Sequence, residues 1–157
     1  MRLYLDVDGT LLRRGGHARL RGDLAPAAHL RPFLEWATQS FQCVWLTSRD
    51  RDGGADAIRA VFRQAIGPGD EADAVDSLLR RVQPSCWREF KAQAIDFSAP
   101  FLWLDDAPEE ESLDLLQRHG VERAWLPIAI DSRSDDLLRA MAELRQRQAE
   151  QVVAEAV

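Results

Sequence analysis

The 157-residue sequence lacks the features that identify secreted and membrane proteins. It has only two cysteines, Cys43 and Cys86, too few for a disulfide framework, and their apolar contexts predict reduced core thiols. No apolar run approaches the roughly 20 residues that span a bilayer, so no membrane association is predicted. The N-terminus enters Leu3–Asp6 without a signal peptide, which predicts a cytoplasmic location.

Basic residues are outnumbered by acidic ones, 20 against 26, and the formal net charge is −6 at pH 7. This balance excludes a protein that coats nucleic acid through bulk charge, although it leaves room for a local basic site. Lysine is almost absent, because Lys91 is the only one and arginine supplies the other basic residues. Lys91 is therefore a candidate functional residue.

Hydrophobic periodicity predicts strands and helices in alternation along the chain. Strands are expected at residues 2–8, 41–46, 100–104 and 123–130. Helices are expected at 25–39, 54–66, 85–95, 109–119 and 134–157, while 74–82 fits either state and 11–24 is a flap loop or small hairpin. The alternation predicts an α/β fold with a mainly parallel sheet, in a single domain over residues 1–157.

Polar residues collect where three of the predicted strands end. The first strand ends in Asp6 and Asp8, the second in Thr47 and Ser48, and a later one in Asp105 and Asp106. Ligands of open α/β sheets bind beyond the carboxyl ends of the strands. Burying several carboxylates together costs on the order of several kcal/mol each unless a cation joins them. Mg²⁺, with a phosphate completing its oxygen ligands, fits this pattern.

The spacing of the first two acids permits two separate roles. One of Asp6 and Asp8 can attack phosphorus, while the other protonates the leaving alcohol and later activates water. The Thr47 hydroxyl and the compact charge of Lys91 suit phosphate oxygens. Gly9 allows the backbone to approach a phosphate closely.

Four segments together resemble the motifs of the haloacid-dehalogenase-like (HAD) phosphatase superfamily. Asp6-Val7-Asp8-Gly9-Thr10-Leu11 resembles the first motif, and Val44-Trp45-Leu46-Thr47 is similar to the second. Lys91 stands where the third motif's lysine would fall, and residues 101–106 resemble the acidic fourth motif. The set occurs in the family's order. The resemblance implies a Rossmann-like three-layer sandwich, Mg²⁺ dependence and an aspartyl-phosphate intermediate.

The resemblance also implies residue roles. Asp6 would be the nucleophile, and Asp8 the general acid/base whose backbone carbonyl binds metal. Thr47 and Lys91 would hold the transferring phosphoryl group. The implied metal ligands are Asp6, Asp8, Asp105 and Asp106. The substrate-binding candidates beside them are Gly9, Thr10, Ser48 and Arg49.

The gaps between the motifs are too short for a folded cap, so the resemblance implies a capless enzyme with an open site. The flap is basic, with Arg13, Arg14, His17, Arg19 and Arg21 against Asp23. A basic flap on an acidic protein suits a polyanionic substrate such as a nucleic-acid end, although a solvated basic loop is an equal alternative.

The pairing of Trp45-Leu46-Thr47-Ser48 with Trp103-Leu104-Asp105-Asp106 is also similar to small HAD domains associated with RNA-repair proteins. The expected partner is a phosphorylated substrate, with a nucleic-acid end as one candidate, and the chain is a monomer or a homodimer. Two alternatives remain: a phospho-acceptor signalling module, or a non-catalytic HAD-like binding domain. A receiver-type module places its lysine last, whereas Lys91 precedes the final acid pair.

Overall fold

The computed structural model describes residues 1–14, 24–49 and 51–155. Its strands are β1 (Arg2–Leu5), β2 (Leu12–Arg14), β3 (Leu24–Pro26), β4 (Gln42–Trp45), β5 (Phe101–Asp105) and β6 (Trp125–Pro127). Its α-helices are α1 (Leu30–Ser40), α2 (Asp56–Ile66), α3 (Asp70–Leu79), α4 (Glu110–Arg118) and α5 (Asp136–Glu155). Two short 3-10 helices cover Lys91–Ala94 and Glu122–Ala124.

Four parallel strands form the central sheet in the order β4-β1-β5-β6. In this register Tyr4 of β1 lies between Val44 of β4 and Trp103 of β5. The chain passes from β1 to β4 on one side, and then crosses to β5 and β6 on the other. The strand order therefore reverses at β1, and such a reversal opens a crevice beyond the carboxyl end of the strand.

Side chains alternate between the two faces of the sheet, as strand geometry requires. On one face, Leu3 and Leu5 pack with apolar residues of α1, α2, α3 and α5. On the other face, Tyr4 and Trp103 pack with residues of α4 and of the 3-10 helix that begins at Lys91. The result is an α/β, Rossmann-like three-layer sandwich, as predicted. Every described α-helix contributes to one of these two clusters, so none of them forms a separate cap.

An antiparallel pair, β2 with β3, follows the first predicted motif and agrees with the small hairpin expected there. Residues 15–23 of the predicted basic flap lie outside the described residues, so the location of their charges stays a prediction. The prediction that a helix begins at residue 25 is wrong, because α1 begins at Leu30. Pro26 instead pairs with Leu12, and the Ala27 N–H donates to the Leu11 carbonyl at 2.9 Å. Tertiary pairing thus overrides the local helical pattern.

The helix predicted at residues 85–95 is also wrong, since only the 3-10 helix Lys91–Ala94 forms there. The Ser85 hydroxyl donates to the Trp45 carbonyl, and the Trp87 N–H donates to the Arg51 carbonyl at 3.2 Å. These hydrogen bonds hold the segment against the loop that follows β4. The Glu89 N–H, which in a helix capped at Ser85 would donate to the Ser85 carbonyl, donates instead to Gln93 Oε1 at 3.0 Å, and Phe90 has an extended backbone.

Smaller differences concern single elements. Cys43 is buried as predicted, but Cys86 is exposed, so its prediction as a core thiol is wrong. The ambiguous segment 74–82 is helical until α3 ends, after which Gln83 pairs with Val44 beside β4. The strand predicted at 123–130 is shortened to β6, because a 3-10 helix precedes it. No helix in the described ranges has the length and apolar character needed to cross a bilayer.

Candidate functional site

A buried cluster of charges lies at the carboxyl edge of the sheet. Asp6 directly follows β1, and Asp105 ends the neighbouring strand β5. By strand alternation both side chains belong to the face of Tyr4 and Trp103, on which the 3-10 helix of Lys91 packs. The Lys91 Nζ atom lies 3.1 Å from Asp6 Oδ1 and 2.7 Å from Asp105 Oδ2. The structure thus brings together residues from three of the four predicted motifs.

The three side chains of this cluster are almost completely enclosed, with exposed fractions of 8% for Lys91, 4% for Asp6 and 0% for Asp105. Burial, reinforced by the charge of Asp105, raises the pKa of Asp6 to about 7. Burial likewise raises the pKa of Asp105. Burial alone would lower the pKa of Lys91, but the attraction of the two carboxylates outweighs it and that pKa is raised. Two acids facing one base leave negative charge that is not neutralised.

Asp106 adds a third carboxylate on the solvent side of the cluster. One oxygen each from Asp6, Asp105 and Asp106 lie within 4.8 Å of one another. Burial raises the pKa of Asp106 as well, although this residue is exposed in part. An octahedral Mg²⁺ with ligands at about 2.1 Å keeps them about 3–4 Å apart, so a small side-chain adjustment would fit the ion. The oxygen donors and the excess negative charge suit a hard divalent cation.

The turn after β1 packs tightly against this cluster. Gly9 has φ 76°, a conformation that side chains disfavour, and a Cβ atom there would lie 2.1 Å from Asp106 Oδ2. Thr10 is buried, and its hydroxyl donates to Asp6 Oδ2 at 3.4 Å. The positive φ therefore favours glycine at position 9, and the missing side chain leaves room for the Asp106 carboxylate. The sequence had suggested the approach of a phosphate as the reason.

Asp8 has a different partner from Asp6. Both of its carboxylate oxygens accept hydrogen bonds from the Arg49 guanidinium, Oδ2 from Nε at 2.7 Å and Oδ1 from a terminal nitrogen. Thr47 is buried beyond the end of β4, and its hydroxyl accepts a hydrogen bond from the Arg49 N–H at 3.4 Å. Ser48 is exposed. Arg49, predicted to bind substrate, is thus engaged with the predicted acid/base.

Two tryptophans form hydrogen bonds with the backbone of candidate site residues. The Trp87 indole N–H donates to the Thr47 carbonyl at 3.2 Å. The Trp125 indole N–H donates to the Asp105 carbonyl at 3.0 Å. Each ring therefore fixes the backbone of a site residue. No sequence pattern reveals these contacts, because the partners lie far apart in the chain.

A third support holds the segment that carries Lys91. The Ser112 hydroxyl accepts from the Ala92 N–H at 3.1 Å and donates to Glu109 Oε2 at 2.9 Å. Ser112 is fully buried, and Glu109 precedes α4. Glu109 is partly exposed, and the two acids after it, Glu110 and Glu111, are exposed in the first turn of α4. These bonds tie the 3-10 helix to α4 and help to fix the position of the lysine.

Comparisons with protein-family models, with curated proteins and with solved structures gave no match to this chain. A function must therefore be inferred from its own residues and their arrangement. The observations that bear on it are the buried acidic cluster with its single lysine, the threonine beyond β4, and the Asp8–Arg49 pair.

Proposed function

We propose that this protein is a Mg²⁺-dependent phosphohydrolase of the HAD type, which acts through an aspartyl phosphate on Asp6. The observation that carries the proposal is the buried contact of Lys91 with Asp6 and Asp105, beside which an oxygen of the exposed Asp106 lies within 4.8 Å of theirs. Burying two carboxylates with one ammonium group is costly, because the negative charge is not fully neutralised. A site that accepts both a cation and a phosphate explains the cost.

In the first step one Asp6 carboxylate oxygen attacks phosphorus, and the bond from phosphorus to the leaving oxygen breaks. The Asp8 carboxyl group gives its proton to that leaving oxygen. Lys91 and the Thr10 hydroxyl hold the two Asp6 oxygens, which limits the orientations of the nucleophile. Bound Mg²⁺, held by the carboxylates of Asp6, Asp105 and Asp106 and the Asp8 backbone carbonyl, would neutralise negative charge on the phosphoryl oxygens.

In the second step the Asp8 carboxylate takes a proton from a water molecule, and the water oxygen attacks phosphorus. The bond from phosphorus to the Asp6 oxygen breaks, which releases inorganic phosphate and restores the free carboxylate of Asp6. Thr47 and Lys91 would contact the phosphoryl oxygens in both steps. Asp8 therefore serves as acid and then as base, as microscopic reversibility permits.

The proposed substrate is a phosphomonoester that reaches an open site. In the described part of the chain no α-helix covers the carboxyl edge as a cap, since each one packs in a core cluster. An open edge admits the end of a large molecule, so a nucleic-acid end remains one candidate substrate. A kinship with the HAD domains of RNA-repair proteins belongs to the same proposal.

Release of phosphate from p-nitrophenyl phosphate, measured with Mg²⁺ and with EDTA, tests the proposal. We expect turnover only with Mg²⁺, its loss in Asp6→Asn, and a decrease in kcat of about 10²–10⁴-fold in Asp8→Asn. Asp73→Asn is the matched control, because Asp73 is an exposed acid of α3. No turnover of any phosphomonoester with Mg²⁺ would contradict the proposal. A long-lived phospho-Asp6 without turnover would instead identify a phospho-acceptor module.

A further inference from the structure

Within the part of the chain that the structure describes, Arg49 and Lys91 both contact candidate site acids, and their environments differ. Lys91 is enclosed between two carboxylates and is 8% exposed. Arg49 is 30% exposed, and among the described residues its guanidinium binds Asp8, itself 32% exposed. The Arg49 backbone is held near the site by its N–H bond to the Thr47 hydroxyl. Its side chain can therefore exchange partners while its backbone remains fixed.

The Asp8–Arg49 pair conflicts with the proposed role of Asp8 unless the pair opens. A general acid must contact the leaving oxygen, yet Arg49 donates to both Asp8 carboxylate oxygens. Arg49 must therefore release at least one of them when substrate is bound. The pair is bidentate and only about one-third exposed, so its exchange requires another anion that offers the guanidinium a comparable pair of hydrogen bonds. A leaving group without charge offers no such replacement.

We propose that Arg49 binds a second anionic group of the substrate, on the leaving-group side. This inference rests on the proposed function. The substrate class is then phosphomonoesters whose leaving group carries another phosphate, as a nucleic-acid end does. The planar guanidinium of arginine matches phosphate with two parallel hydrogen bonds, as it matches the Asp8 carboxylate here. The second phosphate of the substrate binds Arg49 in place of Asp8. Asp8 is then free beside the leaving oxygen.

A second arginine lies at the same edge of the sheet. The guanidinium of Arg51 lies 4.5 Å from the ring centroid of Trp87, the residue that holds the Thr47 carbonyl. This cation–π contact places another positive charge on the loop that carries Arg49. Positive charge on the outer loop and negative charge at the buried centre together favour a substrate whose second phosphate stays outside the cluster.

Propane-1,3-diol monophosphate and its bisphosphate form a suitable pair of probes, because they share the scissile ester and differ in one phosphate. With Mg²⁺ we expect kcat/KM to be about tenfold higher for the bisphosphate, beyond the statistical factor of two, as one charge-assisted contact provides. In Arg49→Gln this preference should fall to about that factor of two. Arg63→Gln, on the exposed face of α2, should keep the full preference.

The possible results separate this inference from the proposed function. A preference for the bisphosphate of no more than the statistical factor of two in the wild type, with turnover intact, would overturn the inference alone. A parallel loss on both probes in Arg49→Gln would mean that Arg49 only positions Asp8, and would overturn it as well. Arg49→Lys, which keeps the charge without the two parallel bonds, should show an intermediate preference and replaces Arg49→Gln if that variant does not fold. No turnover of either probe would overturn both proposals.

Discussion

Replacing Lys91 by methionine removes the charge at the centre of the cluster and keeps most of the side-chain volume. In the native protein Lys91 contacts Asp6 and Asp105, and all three side chains are buried. Lys91→Met would leave the two carboxylates beside each other without their cation. Removing one partner of a buried ion pair costs about 3–5 kcal/mol of unfolding free energy. At about 2–4 °C per kcal/mol for a chain of this size, Tm should fall by about 6–20 °C.

The loss of stability in Lys91→Met should depend on pH, because buried carboxyl groups can take up protons. Burial already raises the pKa of Asp6 from 3.8 to about 7 in the wild type, and removing Lys91 raises it further. The folded state then binds more protons than the unfolded state above about pH 4, so the free energy of unfolding falls as pH rises. We expect Lys91→Met to approach the wild type near pH 5 and to differ most near pH 8.

Urea unfolding followed by tryptophan fluorescence, in EDTA at both pH values, measures this difference. Added Mg²⁺ should recover more stability in Lys91→Met than in the wild type, since the ion supplies the missing positive charge. Arg31→Met is the matched control, because Arg31 forms exposed ion pairs, and no resolvable change is expected. A deficit for Lys91→Met below about 1 kcal/mol at pH 8 would refute the reasoning, because buried unpaired carboxylates cannot be that cheap.

Three further predictions concern other parts of the molecule. Gly9→Ala should weaken Mg²⁺ binding, measured by calorimetry, because its Cβ would lie 2.1 Å from a carboxylate oxygen of the cluster. Asp76→Asn should lower the unfolding free energy at pH 7 by about 1–2 kcal/mol, since Arg59 lowers the pKa of Asp76 to about 2. The deficit of Asp76→Asn, measured by urea unfolding, should vanish as pH falls from about 4 to 2, because only the ionised Asp76 carboxylate stabilises the native state. A thiol reagent followed by mass spectrometry should modify Cys86 and spare Cys43, whose pKa burial raises to about 12.

Each of these predictions can fail in a distinct way. Wild-type Mg²⁺ affinity in Gly9→Ala would mean that the neighbouring carboxylate moves without consequence. A deficit of Asp76→Asn that persists at pH 2, or one matched by the exposed Asp73→Asn control, would mean that charge pairing is not its cause. Equal labelling of Cys43 and Cys86 in the native protein would contradict the burial of Cys43.

The meeting of the strand-end residues could be predicted from local sequence. β1, β4 and β5 are short apolar runs, and Asp6, Thr47 and Asp105 stand at or just beyond their ends. Parallel strands share one carboxyl edge, so the predicted fold class already implied that these residues are neighbours. The prediction needed only the alternation of elements, which depends on side chains close together in the chain.

The structure of the lysine segment shows the opposite case. Lys91 lies in the cluster, but the helix predicted for its segment was wrong, because the preceding residues bond to the loop after β4. The prediction that Cys86 is buried was wrong for the same reason. A local pattern indicates which faces of a segment are apolar. It does not indicate which distant acceptors the backbone N–H groups of that segment will bond.

The sequence by itself determined the layers of the sandwich, the edge of the sheet where polar residues gather, and most of the residues at that edge. Only the tertiary structure decided that Lys91 bridges Asp6 and Asp105, and that Arg49 binds Asp8 rather than solvent. The first set follows from periodicity over a few residues. The second joins positions as far apart as 6 and 91, and such pairs form only after the strands and helices between them have packed.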